Sequence, residues 1–471
     1  MSLGLQSFLA VLPILTAAVL LVGFRWPAKR AMPICFVVAV VVAIAFWKVD
    51  TVRVVASTIQ GLFLTVNILY IIFGAILLLN TLKHSGAITA IRSGFADISP
   101  DRRVQLVLIA WLFGAFIEGS SGFGTPAAIA APLMVAVGFP AMAAVMIGMM
   151  IQSTPVTFGA VGTPILIGVK GGLESPELTA QLAQVGMNFA DYLQLITAQS
   201  AIIHAICGTL IPTFMVVMMT RFFGRNKSWT EGLSILPFTL LGGVAFTIPY
   251  LLTGVFLGPE FPSLIGALIG IPIMSFCAIK GFLVPKDTWD FPPREEWDKG
   301  WISDMEISLE SLTTRKPMNL VLAWVPYVLV AVVLVLSRLR QLPLGGWLNS
   351  VAIKWTDILG TGITGSSAPL YLPGAMLIFV VIITFFLHRM TSKELGDAVK
   401  ESSKILLGAG FVLIFTIPMV RVYINSGINA AGYASMPLAM AQWVASNVGQ
   451  VWPFFAPFIG GLGAFIAGSN T

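Results

Sequence analysis

The composition places this chain among membrane proteins. Of its 471 residues, 57% are hydrophobic and 10% are charged, and the mean hydropathy is +0.91. Soluble domains carry about 25% charged residues, so this composition excludes a soluble globular protein. Apolar stretches of about 20 residues, which cross the hydrocarbon core of a bilayer as a helix, recur along the whole chain. We therefore expect an all-α polytopic membrane protein.

The positive charge is spread between the apolar segments. The net charge is +6, and the 27 Lys and Arg residues lie in short runs, as the positive-inside rule expects of cytoplasmic loops. No basic patch interleaved with aromatic residues occurs, so no nucleic-acid partner is predicted. Cys35, Cys207 and Cys277 are isolated within apolar runs, which predicts neither a disulfide nor a metal site. We expect no cofactor.

Charged or Pro/Gly-rich breaks divide most of the chain into ten predicted membrane spans. Placing most of the positive runs in the cytoplasm predicts that the N-terminus lies outside. The predicted spans are residues 3–24, 31–47, 61–82, 140–169, 196–219, 233–253, 263–285, 319–337, 371–387 and 405–424.

Residues 104–138 do not fit this pattern. Their apolar stretches, 104–118 and 126–138, are each too short to cross a bilayer. Between them lies Gly119–Thr125, whose glycine and hydroxyl residues disfavour a helix. The sequence therefore predicts a re-entrant hairpin, which enters and leaves the membrane on the same side.

A helix that is broken inside a membrane can bind an anion. Its second half begins with free backbone N–H groups and the positive end of a helix dipole, which together can replace the water that a buried anion loses. In GAFIEGSSGFGTP, residues 114–126, hydroxyls and glycines would surround a small carboxylate. We predict substrate contacts from Ser120, Ser121, Gly122 and Thr125.

Two further breaks have similar chemistry. The tripeptide Gly-Thr-Pro at 124–126 recurs at 162–164, which adds Gly162 and Thr163 to the predicted site. A break at 468–471 adds Ser469, Asn470 and Thr471. Single breaks of this kind also occur as simple kinks or close-packing points, but three of them favour a site.

The chain contains an internal repeat. GAFIEGS at 114–120 matches GAFIAGS at 463–469, with one difference. The preceding loops differ in charge, since residues 83–103 hold four Lys or Arg and residues 425–451 hold none. The two copies are therefore predicted to have opposite orientation, an arrangement typical of secondary transporters.

The repeat also predicts the domain organisation. Scaffold helices of the first repeat, a transport region with the first hairpin, additional spans, a solvated cytoplasmic linker, scaffold helices of the second repeat and the start of a second hairpin follow in order. The corresponding residues are 1–103, 104–220, 221–285, 286–318, 319–451 and 452–471.

Three ionisable residues within apolar segments are candidates for coupling transport to protons. Glu118 is the only acid in the first hairpin and lies next to its break, and acids within membrane segments often carry protons. Arg421 could pair with Glu118 or with a carboxylate substrate, or extend its head toward the membrane surface. His204 could carry a proton. For Glu118 and His204, a structural hydrogen bond within the helix packing is the alternative.

The motifs GAFIEGSSGFGTPAAIAAP, FGAVGTPI and GAFIAGSNT resemble the bacterial L-lactate permease family over nearly the whole chain. The resemblance implies symport of L-lactate, D-lactate or glycolate with protons across the bacterial inner membrane. It also implies two re-entrant hairpins and an elevator-type architecture of the ion transporter superfamily, in a possible homodimer. Family members continue beyond the position of Thr471, so we expect this chain to lack part of the second half.

Other classes of protein remain to be weighed. A sodium-coupled or exchange carrier for another small organic anion is the main alternative, because Na⁺ also binds at broken helices. A membrane enzyme would need a nucleophile with its base, a metal cluster or a cofactor motif. A channel would need a symmetric filter or a ring of charges. The sequence shows neither pattern, so the chain is not predicted to be an enzyme.

Overall fold

The computed structural model describes residues 1–96, 98–122, 124–302, 318–338 and 342–467. Within these ranges, ten helices are long and apolar enough to cross a membrane. The class predicted from composition, an all-α polytopic membrane protein, is confirmed. The predicted span 371–387 forms a helix of only 15 residues, Pro373–Leu387, and is not among the ten.

The first part of the chain is helical apart from short connections. In chain order, its helices are α1 (Leu3–Ala18), α2 (Ala28–Ala45), α3 (Thr51–His84), α4 (Ala87–Ala96), α5 (Arg102–Gln105), α6 (Gly114–Ser121), α7 (Thr125–Ala136), α8 (Ala141–Met150), α9 (Gly159–Thr163), α10 (Lys170–Leu173), α11 (Pro176–Gln184), α12 (Phe189–Phe223), α13 (Trp229–Leu233), α14 (Leu236–Phe256) and α15 (Pro262–Ile279). The segments Val19–Gly23, Leu106–Phe113 and Pro164–Val169 are π-helical.

The second part adds a small β-hairpin to further helices. Its elements are α16 (Leu320–Arg338), α17 (Leu344–Ser350), β1 (Ile353–Trp355), β2 (Gly365–Ser367), α18 (Pro373–Leu387), α19 (Ser392–Ile424), α20 (Met436–Asn447) and α21 (Trp452–Ala467). The two strands are antiparallel, with Ile353 opposite Ser367.

The contacts divide the chain into two compact units. Unit 1 comprises Met1–Phe73, Arg340–Ala375 and Lys400–Asn470, and unit 2 comprises Gly74–Leu339, Met376–Val399 and Thr471.

Unit 1 has a core in which α1, α2 and α20 pack together. Trp47 is fully buried in it, and its Nε1 donates to the carbonyl of Ala434 at 2.9 Å. Its ring meets Tyr433 edge-on, with the centroids 6.1 Å apart. In the same unit, a Cβ on Gly61 of α3 would lie 2.4 Å from Pro418 Cα of α19. Only glycine therefore permits this close crossing of two helices.

Unit 2 has a tightly packed layer of α12, α14 and α15. A Cβ on Gly243 of α14 would lie 2.2 Å from the Thr209 carbonyl of α12, so these helices approach closely because a side chain is missing. The hydroxyls of Thr209 and Thr247 lie 2.8 Å apart and link the same pair of helices. Lipid tails are as apolar as the helix surfaces, so the hydrophobic effect does not drive helices together within a membrane. Close packing at small residues and hydrogen bonds between hydroxyls stabilise the helix pairs instead.

The predicted first hairpin is present in unit 2 as two helical limbs. The first limb runs without interruption from Arg102 to Ser121, and α7 is the second limb. At the base, the Arg102 guanidinium donates to the carbonyl of Val137, so the chain returns to the level at which it started. The expectation that the first limb is too short to span was wrong, because residues 102, 103 and 119–121 are helical as well as 104–118, which makes the limb 20 residues long. Its re-entry from one membrane side stays a prediction.

A buried ion network holds the base of this hairpin. Arg103 is 1% exposed, and its Nη2 lies 2.7 Å from Asp101 Oδ2 and 3.2 Å from Asp287 Oδ2. Its Nη1 donates to Ser234 Oγ at 2.7 Å. Because charges taken out of water must be paired, this network ties three separate segments of unit 2 together.

The segment after α15 is mostly exposed where the structure describes it, but part of it is buried against the hairpin base. Trp289 and Phe291 are buried, and the backbone N–H of Arg102 donates to the Trp289 carbonyl at 3.1 Å. We expected residues 286–318 to be solvated because of their charge, but these two aromatic side chains drive their neighbours onto the hairpin base. Residues 303–317 lie outside the described part of the chain.

Replacing Arg103 by Ala should destabilise unit 2 strongly. The substitution leaves the buried carboxylate of Asp101 without its partner, and breaking a buried pair in this way costs about 3–5 kcal/mol. Thermal unfolding of the detergent-purified protein should show a clearly lower midpoint. Arg225→Ala is the matched control, because its pair with Glu296 is exposed and exposed pairs contribute about 0–1 kcal/mol. Equal midpoints for both variants would contradict this account of the network.

Candidate functional site

The tip of the hairpin lies between the end of α6 at Ser121 and the start of α7 at Thr125. Gly122 and Gly124 have positive φ angles of 63° and 73°, which glycine adopts without the penalty that other residues incur. The predicted break was wider, at residues 119–125, but Gly119, Ser120 and Ser121 continue α6. α7 begins at Thr125, so its positive dipole end lies at the turn.

The predicted hydroxyls at this turn are bonded to the backbone, and Ser120 and Ser121 are buried. Ser120 Oγ and Ser121 Oγ both donate to the Ile117 carbonyl, at 3.1 and 2.9 Å. Thr125 Oγ1 donates to the Gly122 carbonyl at 2.8 Å. In this structure the hydroxyls donate to backbone carbonyls at the helix ends. They must rotate away from these carbonyls before they can donate to a bound anion. The sequence did not predict these local bonds.

The second predicted break is more strongly distorted than the first. Ala160, Val161 and Gly162 have φ angles of 43°, 56° and 75°, so three consecutive residues are left-handed. This conformation is costly for alanine and more so for β-branched valine. Thr163 is also buried, and its Oγ1 donates to the Ala160 carbonyl at 2.5 Å. Such local strain persists only where the surrounding structure holds it, and it is concentrated at functional sites.

The two breaks lie against each other within unit 2. A Cβ on Gly124, in the hairpin turn, would lie 3.5 Å from Oε1 of Gln152, which precedes the second break. A Cβ on Gly114 of α6 would lie 3.0 Å from Ile151 Cγ1. Both breaks were assigned to one site from the sequence, and the fold brings α6 of the first break against α9 of the second.

His204 belongs to this region as well. Its Nε2 lies 2.7 Å from Thr157 Oγ1, so α12 presents the imidazole to the second break. The hydroxyl of Tyr250 donates to the Thr154 carbonyl at 3.1 Å, and its ring lies 6.5 Å from that of His204. The structure thus brings His204 next to the predicted site, and also gives it the hydrogen bond expected of a structural histidine.

Glu118 is fully buried in α6, one turn before the hairpin tip. Its backbone carbonyl accepts from Gly122 N–H at 2.8 Å, which places the residue at the end of the helix. Arg421 lies in unit 1, where it is 8% exposed and its Nε donates to Gln60 Oε1 at 2.9 Å. The guanidinium therefore has a polar partner on α3, and the roles suggested for Arg421 stay predictions.

One acid near the breaks was missed from the sequence. Glu260 lies in the short connection between α14 and α15 and is 7% exposed. A Cβ on Gly162 would lie 2.9 Å from its backbone nitrogen. The available signal was an acid flanked by prolines and apolar residues in a connection of five residues, where a short loop leaves little room for solvation.

The third predicted break cannot be placed in the same way. α21 ends at Ala467, and Ser469, Asn470 and Thr471 lie outside the described residues.

A well-formed cavity in unit 1 has different chemistry. It has a volume of about 360 Å³ and lies between one face of α3 and the β-hairpin. Its lining is almost entirely apolar, with side chains such as Ile59, Phe63 and Ile353. A carboxylate would lose its water there without gaining donors, so this cavity does not suit a small anion.

The fold and the broken helices define the class of protein. Ten apolar helices among the described residues, with two helix breaks in contact inside one unit, are typical of multi-pass membrane transporters. Comparison with known families identifies the group within that class. The sequence model of the L-lactate permease family matches residues 6–471, and the chain belongs to this family.

Individual relatives agree with this assignment. The L-lactate permease of Escherichia coli is 26% identical over 100% of this chain and 82% of its own length. The L-lactate permease of Bacillus subtilis is 26% identical over 92% of this chain and 76% of its own length. The glycolate permease of Escherichia coli is 26% identical over 100% of this chain and 81% of its own length. No solved structure matches.

Proposed function

We propose that this protein takes up L-lactate and related small 2-hydroxy monocarboxylates, such as D-lactate and glycolate, by proton symport across the bacterial inner membrane. The observation that carries the proposal is the contact between two helix breaks in unit 2, next to the buried carboxyl of Glu118. Membership of the L-lactate permease family and relatives named for lactate and for glycolate support the substrate class. Both acids carry a carboxylate and a hydroxyl on the neighbouring carbon.

The substrate carboxylate is proposed to bind at the positive end of α7. Ser120, Ser121, Gly122 and Thr125 are proposed to contribute from the first break, and Gly162 and Thr163 from the second. The hydroxyls that now donate to backbone carbonyls would rotate toward the anion when it binds, because a charge-assisted hydrogen bond is about twice as strong as a neutral one. Ser469, Asn470 and Thr471, which lie outside the described residues, stay predicted substrate contacts from the sequence.

Glu118 and His204 are proposed as groups that bind the coupled proton. Both are ionisable, and both lie beside a break. Arg421 stays a coupling candidate predicted from the sequence. The N-terminal orientation, the inverted repeat, an elevator movement and a homodimer stay predictions from the sequence.

Counterflow in proteoliposomes tests the substrate. Vesicles loaded with unlabelled L-lactate should accumulate external labelled L-lactate transiently, and external glycolate should compete with it. Propionate, which lacks the 2-hydroxyl, should compete weakly, because a site built to bond a hydroxyl rejects analogues without it. Equal competition by propionate and glycolate would contradict recognition of 2-hydroxy acids.

Removing one hydroxyl at the tip should weaken lactate binding. Ser121→Ala and Thr125→Ala should each raise the Kd, by about 1–3 kcal/mol in binding free energy if a donor to the charged carboxylate is lost. Ser337→Ala is the matched control, because the Ser337 hydroxyl is also buried and donates to a carbonyl of its own helix, that of Leu334, at 2.8 Å. If both variants bound L-lactate with wild-type affinity, the hydroxyls of Ser121 and Thr125 would serve only as hydrogen-bond donors to the backbone.

A further inference from the structure

The connection between α14 and α15 brings a buried carboxyl to both helix breaks. Glu260 lies in this connection, residues 257–261, and is 7% exposed. Asp50 and Glu174, in other connections, are exposed, and the buried Asp101 is paired with Arg103. A carboxyl is kept out of water in this way only at a cost, so its position needs a reason.

The backbone of this connection supports the strained turn of the second break. A Cβ on Gly162 would lie 2.5 Å from the Pro259 carbonyl oxygen and 2.9 Å from Glu260 N. Nothing larger than glycine therefore fits between the turn and the connection. The left-handed residues Ala160 and Val161 immediately precede this contact, so the connection is one of the features that hold them in a costly conformation.

The same connection leads directly to the first break. Ser263, at the start of α15, donates from Oγ to the Pro155 carbonyl at 2.8 Å. A Cβ on Gly119 of α6 would lie 2.9 Å from both Leu264 N and Ser263 Cβ. Residues 257–264 thus contact the limb of the hairpin and the second break, and Glu260 lies where the three elements meet.

The side chains of Glu260 and Gln194 each place an oxygen near Gly258. A Cβ on Gly258 would lie 3.1 Å from Glu260 Oε2 and 4.0 Å from Gln194 Oε1. The amide nitrogen of Gln194 donates to the Gly254 and Val255 carbonyls at 2.9 and 2.8 Å, which ties α12 to the end of α14 beside the connection.

We infer that Glu260 is a second proton-carrying carboxyl of the transport site. The inference rests on the proposed function. The Glu260 carboxylate accepts a proton from water on the entry side and releases it to water on the exit side, and no covalent bond is made to the substrate. The proton offsets the charge of the monocarboxylate that moves with it. Acidic, basic and histidine side chains on the elements packed around the connection are Glu118 of α6 and Asp191, His204 and Arg221 of α12; α9, α14 and α15 carry none.

Glu260→Gln tests the inference in proteoliposomes of the full chain. The amide keeps the size of the side chain but cannot exchange a proton. Accumulation of labelled L-lactate driven by an inward proton gradient should fall at least about tenfold, in line with the loss of a proton-transfer group. Counterflow at equal pH on both sides should stay within about twofold of wild type, since that exchange needs no net proton movement. Glu260→Asp, which retains a carboxyl, should restore part of the accumulation.

Glu174→Gln, at an exposed acid, is the matched control and should accumulate L-lactate as wild type does. Accumulation by Glu260→Gln at the wild-type level would overturn the inference. Loss of counterflow together with accumulation, in a variant with unchanged thermal unfolding, would also overturn it and assign Glu260 to support of the turn. Wild-type vesicles that accumulate no L-lactate would instead contradict the proposed function.

Discussion

Replacing Gly162 by Ala is expected to abolish lactate exchange. The new Cβ would lie 2.5 Å from the Pro259 carbonyl oxygen, well inside contact distance, and the φ angle of 75° is itself unfavourable for alanine, by about 1–2 kcal/mol. The turn and the connection must move apart, which displaces Thr163 and the left-handed residues before it. We expect the counterflow rate to fall at least about tenfold, because misplacement by about 1 Å can cost a factor of about 100 in a positioned site.

A glycine in the same broken helix provides the control. Gly168 has nothing within 4 Å of its Cβ position, so Gly168→Ala should exchange lactate at nearly the wild-type rate. Both variants should be reconstituted at equal amounts, and their thermal unfolding should be compared to separate loss of site geometry from loss of fold. If Gly162→Ala exchanged lactate as fast as Gly168→Ala, the second break would not be part of the site.

Replacing Glu118 by Gln is expected to separate exchange from coupling. The glutamine side chain is polar and similar in size to glutamate, but its amide does not exchange a proton as a carboxyl does. Proton-driven accumulation of L-lactate should therefore be lost, while lactate counterflow at equal pH should continue. Both quantities can be measured in the same proteoliposomes with labelled L-lactate.

The control for this experiment is an exposed acid outside the two helix breaks. Glu295, in the polar segment after α15, is exposed, and Glu295→Gln should accumulate L-lactate as wild type does. Concentrative uptake that is unchanged in Glu118→Gln would make Glu118 a structural residue. Loss of counterflow as well would place its carboxyl in substrate binding rather than in coupling.

Much of the hairpin could be predicted from local sequence. Glycine at 122 and 124 marks a turn because only glycine adopts positive φ angles freely, and Pro126 suits the first turn of a helix. The end of α6 was less predictable. Serine and glycine at 119–121 have weak helix propensity, yet they stay helical because the surrounding helices bury them and Ile117 accepts both serine hydroxyls.

The second break shows where local sequence is insufficient. The motif predicted an interruption at Gly162, but nothing in its pattern indicated that Ala160 and Val161 are left-handed, because these residues disfavour that conformation when considered alone. Contacts from the distant residues 259 and 260 hold the turn, and such contacts depend on the tertiary fold. The position of Glu260 was missed for the same reason.

The segment after α15 could have been predicted better. Its many charges indicated a solvated linker, but Trp289 and Phe291 lie within seven residues of the end of the preceding predicted span. Aromatic residues in a short polar segment often mark a docked rather than a solvated chain, because each buries a large apolar area. Their partner, the hairpin base with Asp101 and Arg103, could not be identified without the fold.

Uptake of labelled L-lactate into proteoliposomes under separately imposed gradients tests the central claim most directly. An inward proton gradient alone should drive accumulation above the external concentration, and a proton ionophore should abolish it. An inward sodium gradient at equal pH should drive none. Accumulation driven by sodium alone, or no lactate uptake under either gradient, would contradict the account of a proton-coupled lactate carrier.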